Sequence, residues 1–432
     1  MSQPTPRKLA FFAILLTTLT LRAADQPPTD WVDPDTGHRV VRLSREPGSA
    51  SLYFNQNAYT ADGTRVIITT PEGISTINLK TRAIDPVVQG KIKVITAARK
   101  TNEVYYLKDG VIYATSLDTH ATRTIGKPPP HGGVSTLNAD ETLLAGTTVI
   151  GGAPWQSSGA TVNGPAPAIT GTADLIGPDG KRLTYAEAKD QMLNKRLEQH
   201  LPMTLFTLNT KTGEVKTFHH STDWLNHLQF SPTDPTLLMF CHEGPWHKVD
   251  RIWTIRTDGT QLTKIHTRTM NMEIAGHEFW SADGKTIWYD LQTPRGEDFW
   301  VAGYNIITGA RTQYHLDRNE WSVHYNVSPD GALFAGDGGD PEMVAHAPDG
   351  KWIYLFHPEP IPDVAGISAP NSANLINPGY FKAERLVNLS KHDYHLEPNV
   401  TFSPDMKWIL FRSNMFGPTQ VFAVEIAKAR SK

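Results

Sequence analysis

A short phrase recurs along this chain of 432 residues: a tight turn such as Ser-Pro-Asp-Gly or a close variant, followed at once by an apolar run. Pro and Asp favour the first positions of such a turn, and Gly supplies the positive φ. The run that follows is typical of a β-strand. Copies of the phrase begin at Thr60, Asn138, Ser231, Ser281, Ser328 and Ser403. Self-similarity of this kind predicts a repeat architecture.

Most copies lead into a second hairpin, as at 208–213 and 306–309. Two hairpins make four antiparallel strands, and units of roughly 40–50 residues are typical of propeller blades. With a weaker copy at 111–124 the count is about seven. A strand near 39–43 would complete the last blade and leave no exposed edge. We therefore expect an all-β, seven-bladed β-propeller. Separate tandem domains are the alternative, but no linker-like stretch divides the copies.

The N-terminus predicts an export signal. Arg7 and Lys8 form a short positive region, and an apolar run of signal-peptide length follows at 9–19. We expect residues 1–24 to be the signal peptide, residues 25–432 to form one propeller domain, and the protein to be periplasmic or secreted.

Two segments interrupt the repeat and are predicted to be insertions, at about 151–200 and 341–386. The first is rich in Gly, Ala, Pro and Ser and ends in a pattern that predicts a short helix over 185–200. An insertion in one blade either roofs a substrate cleft or is a structural elaboration, and its sequence favours neither. The second is rich in Pro and Asn and carries no readable pattern.

Charge and cysteine content narrow the classes of partner. The formal net charge of −3 is a poor match for nucleic acid or an anionic membrane, although Lys and Arg can still line one cleft for an acidic substrate. Cys241 is the single cysteine, which rules out an internal disulfide. Because it ends an apolar run, we expect it to be buried and inert. The oligomeric state is not readable from the sequence.

Three histidines stand four residues before the turn phrase: His227, His277 and His324. Equal register in a repeat protein means equivalent position in space, so the three imidazoles are predicted to converge on the axial channel. The other copies carry Gln56, Val134 and Asn399 at this position. Convergent histidines indicate a metal site or a proton-transfer site. The simpler interpretation is a set of polar channel residues bonded to water.

The last repeat adds further donors. Side chains two residues apart share one face of a strand, so Glu397 and His395 are expected to accompany Asn399. Together with His324 they offer nitrogen and oxygen ligands of the kind that suit manganese, zinc or iron.

A loop-like block, Cys241-His242-Glu243-Gly244-Pro245-Trp246, is followed by Asp250-Arg251. Arg251 can bind a carboxylate through two parallel hydrogen bonds. An Asp250–Arg251 pair that merely holds the loop is the structural alternative. The Gly-rich run 336–340 similarly fits either a metal or sugar site or, more simply, a tight turn.

At these residues the chain resembles the oligogalacturonate lyase family, which are manganese-dependent seven-bladed propellers. The phrases that carry the resemblance are Trp224-Leu225-Asn226-His227, Cys241-His242-Glu243-Gly244-Pro245 with Asp250-Arg251, His277-Glu278-Phe279-Trp280, and Phe334-Ala335-Gly336-Asp337-Gly338. The resemblance implies an acidic oligosaccharide substrate, manganese as cofactor, and cleavage of oligogalacturonate or a related uronate oligosaccharide by β-elimination.

The resemblance also implies roles for residues. His277 is the candidate base, Arg251 the candidate partner of the uronate carboxylate, and His324 matches a metal ligand of the family. His227, His242 and Glu243 are candidate substrate contacts.

The last repeat departs from the family, which carries a Gln and a His-x-His before its turn where this chain has Tyr394, Glu397 and Asn399. Either a changed set holds the metal (His324, His395, Glu397 and Asn399), or the site no longer binds manganese. Two other functions remain open: a non-catalytic periplasmic propeller, and a glycoside hydrolase that uses two of the carboxylates Glu243, Glu278 and Glu397.

Overall fold

A computed structural model describes residues 27–151, 180–181, 183, 185–364 and 366–429. The predicted signal peptide at 1–24 and most of the first predicted insertion, residues 152–179, lie outside the described residues. The described parts consist mainly of β-strands arranged as blades around one axis.

The first two strands belong to the end of the ring and the next twelve to its first three blades. The first two are β1 (Asp30–Val32) and β2 (His38–Arg42). Blade one contains β3 (Ala50–Ser51), β4 (Arg65–Thr70), β5 (Gly73–Asn78) and β6 (Ile84–Gln89). Blade two contains β7 (Lys93–Ala97), β8 (Glu103–Lys108), β9 (Val111–Ser116) and β10 (Thr122–Gly126). Blade three contains β11 (Gly132–Leu137), β12 (Leu143–Val149), β13 (Met203–Asn209) and β14 (Val215–Ser221).

The remaining strands make four further blades. Blade four contains β15 (Trp224–Phe230), β16 (Leu237–Glu243), β17 (Ile252–Arg256) and β18 (Thr263–Lys264). Blade five contains β19 (Ile274–Trp280), β20 (Thr286–Gln292), β21 (Phe299–Asn305) and β22 (Arg311–Leu316). Blade six contains β23 (Tyr325–Val327), β24 (Phe334–Gly336), β25 (Trp352–Pro360) and β26 (Ile376–Asn388). Blade seven contains β27 (Thr401–Phe402), β28 (Trp408–Ser413) and β29 (Gln420–Lys428), completed by β2 and β1.

The ring closes as the sequence predicts. Strand β2 pairs antiparallel with β29, with Val40 opposite Val424 and His38 opposite Lys428. The N-terminal strands therefore supply the outer part of the last blade, and the C-terminal strand β29 is paired on both of its edges. Apolar side chains pack between neighbouring blades, which is where the buried core lies. The all-β, seven-bladed prediction is confirmed.

The second predicted insertion is corrected by the structure. Residues 341–386 contain β25 and most of β26, the two outer strands of blade six. The pair is longer than its counterparts, and β26 also runs parallel to β22 of blade five from Ile376 to Tyr380. The prolines and asparagines near the end of this long hairpin interrupt the alternation of apolar and polar residues by which a strand is recognised in a sequence.

The predicted helix is present as α1 (Tyr185–Gln199), inserted between the second and third strands of blade three. Its buried Leu193 packs on Trp246 and Ile274, which belong to blades four and five. The helix is thereby held over one end of the channel and contributes side chains to the lining of the central cavity. None of the helices among the described residues has the length and apolar character needed to cross a membrane.

Candidate active site

Three residues of the predicted ring have left-handed backbone. His227, His277 and Asn399 have φ of 49°, 46° and 56°. In blades four and five the register of the first strand shifts at this point, between Asn226 and Gln229 and between Gly276 and Phe279. Such bulges re-aim a side chain and are common beside active sites. Here the bulged histidines line the central cavity.

His324 is completely buried and is held by one carboxylate at two points. Asp337 accepts a hydrogen bond from the His324 backbone N–H at 2.8 Å and lies 2.9 Å from Nδ1 through its other oxygen. Because an ionised carboxylate only accepts, Nδ1 carries the hydrogen and Nε2 keeps its lone pair. Nε2 lies 3.1 Å from the Tyr53 hydroxyl and 3.7 Å from a Glu397 oxygen.

His277 has a second carboxylate behind it. An Asp290 oxygen lies 3.4 Å from His277 Nδ1, and the other oxygen has no hydrogen-bond partner among the described residues. Burial, and beside it the positive charge of Lys189, lowers the pKa of His277 well below its usual value. The imidazole is therefore neutral near pH 7 and able to accept a proton. Burial also raises the pKa of Asp290 to about 7.

Arg251 is buried near this pair, and only part of its hydrogen-bonding capacity is used. Its Nη2 lies 3.9 Å from a Glu278 oxygen, but Nε and Nη1 have no hydrogen-bond partner among the described residues. The Trp246 ring contacts both the guanidinium, at 4.9 Å, and the His277 ring, at 4.8 Å between centroids. A buried guanidinium with unused donors is costly unless something binds it.

Glu243 links the inserted helix to the propeller. It accepts hydrogen bonds from Arg196 of α1 at 3.0 Å and from Asn226 at 2.7 Å, and His227 Nε2 lies 3.8 Å away. Burial alone would raise the pKa of Glu243, but the contacts with His227 and Arg196 lower it overall. Glu243 is therefore a structural anion that positions the helix over the channel.

The described residues enclose a cavity of about 850 Å³ that runs along the axis. His227, His277 and Arg251 line it, as do Glu243 and Glu397, which are its two carboxylates. Seven cationic side chains line the same cavity: Lys93, Arg99, Lys189, Lys195, Arg196, Arg251 and Arg412. This excess contrasts with the formal net charge of −3 for the chain. The volume and charge suit an anionic oligosaccharide.

A sequence profile of the family described as "Oligogalacturonate lyase" matches residues 198–429, more than half of the chain. The chain belongs to the oligogalacturonate lyase family. The matched region contains every predicted site residue, and the helix that carries Arg196 lies almost wholly before it.

Among curated relatives, the chain is 26% identical over 223 residues to the oligogalacturonide lyase of Pectobacterium atrosepticum, which is 51% of this chain and 55% of that protein. It is 26% identical over 229 residues to the oligogalacturonate lyase of Dickeya dadantii, with the same coverage of both chains. The match therefore spans about half the length of these curated relatives.

Two solved structures share the fold over most of its length. An oligogalacturonate lyase in complex with manganese has a TM-score of 0.70 and 22% identity, covering 92% of this chain and 96% of its own. An oligogalacturonate lyase from Vibrio parahaemolyticus has a TM-score of 0.69 and 21% identity, with the same coverage. At this identity the likeness concerns the propeller itself.

The metal ligands predicted for this family member are not brought together. His324 and Glu397 are neighbours, but the His395 side chain is 72% exposed and pairs with Asp393. Both polar atoms of the Asn399 side chain form hydrogen bonds with backbone groups. Oδ1 accepts from Phe54 N at 3.2 Å, and Nδ2 donates to Glu397 O at 2.9 Å. Across the described parts of the chain, no group of three or more His, Cys, Asp or Glu is placed to hold a metal ion. The residues present do not fit manganese.

His242 is also placed away from the cavity. It alternates with Cys241 and Glu243 on β16, so its ring faces the other side of the sheet, 5.1 Å from the Trp253 ring. Its Nδ1 lies 3.4 Å from an Asp223 oxygen. The predicted substrate contact is thus corrected, whereas Cys241 is buried as predicted.

Sequence reasoning missed the residues that support the histidines. These are Asp290 and Asp337, which share one register on the second strands with Cys241 and Arg412, each three residues after a position paired with the first strand. Their signal was present in the sequence, because both lie nine residues after the turn serines, as Arg412 also does. Tyr53 and Arg196 carried no comparable signal.

Proposed function

We propose that this protein is a lyase that cleaves oligogalacturonate, or a related uronate-containing oligosaccharide, by β-elimination to an unsaturated uronate product. The observation that carries the proposal is the cation-rich cavity in which the unsatisfied Arg251 and the neutral His277 contact one Trp246 ring. Membership of the oligogalacturonate lyase family supports it.

Arg251 would bind the uronate carboxylate. The proton to be removed lies on C5, next to that carboxylate, and it is too weakly acidic to be lost while the carboxylate charge is free. Hydrogen bonds from a guanidinium spread the charge that develops as the proton leaves. Nε and Nη1 are the two donors that the protein leaves unused.

His277 would be the base. In its ionised form Asp290 accepts a hydrogen bond from Nδ1–H, which leaves the lone pair on Nε2 on the other side of the ring. In the elimination His277 takes the C5 proton, the electron pair of that C–H bond forms the C4–C5 double bond, and the C4–O bond breaks. The leaving oxygen departs with the neighbouring sugar and receives a proton. No step requires a metal ion.

The hydrolase alternative is disfavoured by the state of the carboxylates. A glycosidase needs one protonated carboxyl group beside the scissile bond. Burial would raise the pKa values of Glu243 and Glu397, but neighbouring cationic and imidazole groups lower both overall. Glu278 faces Arg251 and is absent from the cavity lining among the described residues. A purely non-catalytic propeller would leave the buried Arg251 without a function.

The test is an assay of purified protein with digalacturonate and longer uronate oligomers, following the absorbance of the unsaturated product. We expect activity in the wild type and a loss of about 10²–10⁴-fold in His277→Asn. Asn is chosen because it tolerates the left-handed backbone at this bulge. His131→Asn, at an exposed position that also has a positive φ (57°) but does not line the cavity, is the matched control and should keep full activity. Absence of unsaturated product from every uronate would refute the lyase proposal.

A further inference from the structure

Tyr53 occupies a position that the proposed reaction leaves unassigned. Its hydroxyl lies 3.1 Å from His324 Nε2 and its side chain lines the central cavity. Because Asp337 binds Nδ1–H of His324, Nε2 is the acceptor and the tyrosine O–H donates to it. The three residues form one hydrogen-bonded chain that ends in a hydroxyl facing the cavity.

Tyr53 and His277 both neighbour His324. The Tyr53 and His324 ring centroids are 5.2 Å apart, and those of His277 and His324 are 4.8 Å apart. The cavity is therefore lined by a proton acceptor and by a separate residue with an O–H group, both of which neighbour one histidine. β-Elimination needs both, one for the C5 proton and one for the departing oxygen.

We propose that Tyr53 donates the proton to the leaving oxygen, with His324 and Asp337 holding its hydroxyl in place. The inference rests on the lyase function proposed above. As His277 takes the C5 proton and the C4–O bond breaks, the Tyr53 O–H turns from His324 Nε2 to the departing oxygen and passes its proton to it, which makes a neutral hydroxyl. Tyr53 is left as a phenolate and His277 as an imidazolium, and exchange with solvent restores both.

The same contact bears on the metal. The Tyr53 hydroxyl lies at hydrogen-bond distance from Nε2 of His324, the atom through which this histidine would have to bind an ion. The side-chain amide of Asn399 is hydrogen-bonded to backbone groups on both of its polar atoms. His324 thus has no ring nitrogen left free for an ion. Chelation should accordingly leave the activity of the wild type unchanged.

The test compares Tyr53→Phe on two substrates. On digalacturonate the leaving sugar oxygen needs a proton, and we expect kcat to fall by about 10²–10³-fold with little change in KM. On a galacturonate that carries 4-nitrophenyl on O4, the nitrophenolate leaves as a stable anion, and the variant should act within about threefold of the wild type. Tyr59→Phe is the matched control, since Tyr59 lines the same cavity but bonds Thr401 at 3.3 Å.

The outcomes separate the inference from the proposed function. An equal loss on both substrates would assign Tyr53 a purely structural role, and no loss on either would overturn its role in proton donation. Activity that is abolished by EDTA and restored by manganese would overturn the conclusion that the residues around His324 do not fit this metal. A wild type that gives no unsaturated product from any uronate refutes the lyase function and this inference together.

Discussion

Asp290 stands behind His277, with one oxygen 3.4 Å from Nδ1 and the other without a hydrogen-bond partner among the described residues. The pair repeats in blade six, where Asp337 binds Nδ1 of His324 at 2.9 Å. A carboxylate behind an imidazole fixes which ring nitrogen carries the hydrogen, and so which nitrogen faces the cavity as an acceptor.

Asp290→Asn should lower kcat by about 10²-fold, because an amide can donate to Nδ1 and so favour the tautomer with hydrogen on Nε2. The measurement is initial rate on digalacturonate beside thermal unfolding of the same preparation. Asp283→Asn, at an exposed turn of the same blade, is the control. A variant that unfolds like the wild type and keeps full kcat would remove Asp290 from the mechanism.

Arg251→Met should abolish activity and also destabilise the fold, by about 3–5 kcal/mol, because it leaves the buried Glu278 without its counter-charge. Adding Glu278→Gln should recover much of the free energy of unfolding without recovering activity. Urea unfolding and the lyase assay on both variants separate the two effects. Recovery of activity together with stability would show that Arg251 serves the fold alone.

Arg196→Met should loosen α1 from the propeller, because it breaks the 3.0 Å contact with Glu243 and removes the guanidinium that lies 4.5 Å from the Trp224 ring centroid. We expect KM to rise several-fold and limited proteolysis within 185–199 to become faster. Glu198→Gln, on the exposed side of the same helix, should match the wild type. Unchanged proteolysis would mean that the apolar contacts of Leu193 suffice to hold the helix.

His392 should make stability depend on pH. It is buried between Ser413 Oγ at 2.9 Å and Leu396 O at 2.6 Å, and burial lowers its pKa from 6.5 to about 4. Below pH 6.5 the unfolded chain takes up a proton that the folded chain refuses until about pH 4. The free energy of unfolding should therefore fall as pH drops through this window, by about 3 kcal/mol in total.

The measurement is chemical unfolding at several pH values between 4 and 7, for the wild type and His392→Gln. The variant lacks the titrating ring, so its stability should change less with pH across the window. Equal slopes in the two proteins would assign the pH dependence to other groups.

The repeat was predictable because each blade carries its own local signal. Turn residues and short apolar runs predicted the number of blades and the closing strand β2, and the spacing of apolar residues predicted the helix α1. The shared register of His277 and His324 also led correctly to neighbouring rings, 4.8 Å apart. These features depend on local pattern and on symmetry, both of which a sequence displays.

The ligand set failed because alternation holds only inside a strand. Strand β27 begins at Thr401, so Glu397 and His395 precede it in irregular backbone and do not share a face. Tyr53 and Arg196 come from a blade and a helix distant in sequence, and only the closed ring brings them to the cavity. Contacts of that kind have no local signature.

The left-handed backbone at His227, His277 and Asn399 restricts which residues these positions accept. Histidine, asparagine, aspartate and glycine tolerate positive φ far better than β-branched residues do. Substitution at these three positions is therefore restricted mainly to side chains with imidazole, amide or carboxylate groups. These three positions can exchange one polar chemistry for another, whereas the apolar Val134 stands at the same register in blade three, where φ is not positive.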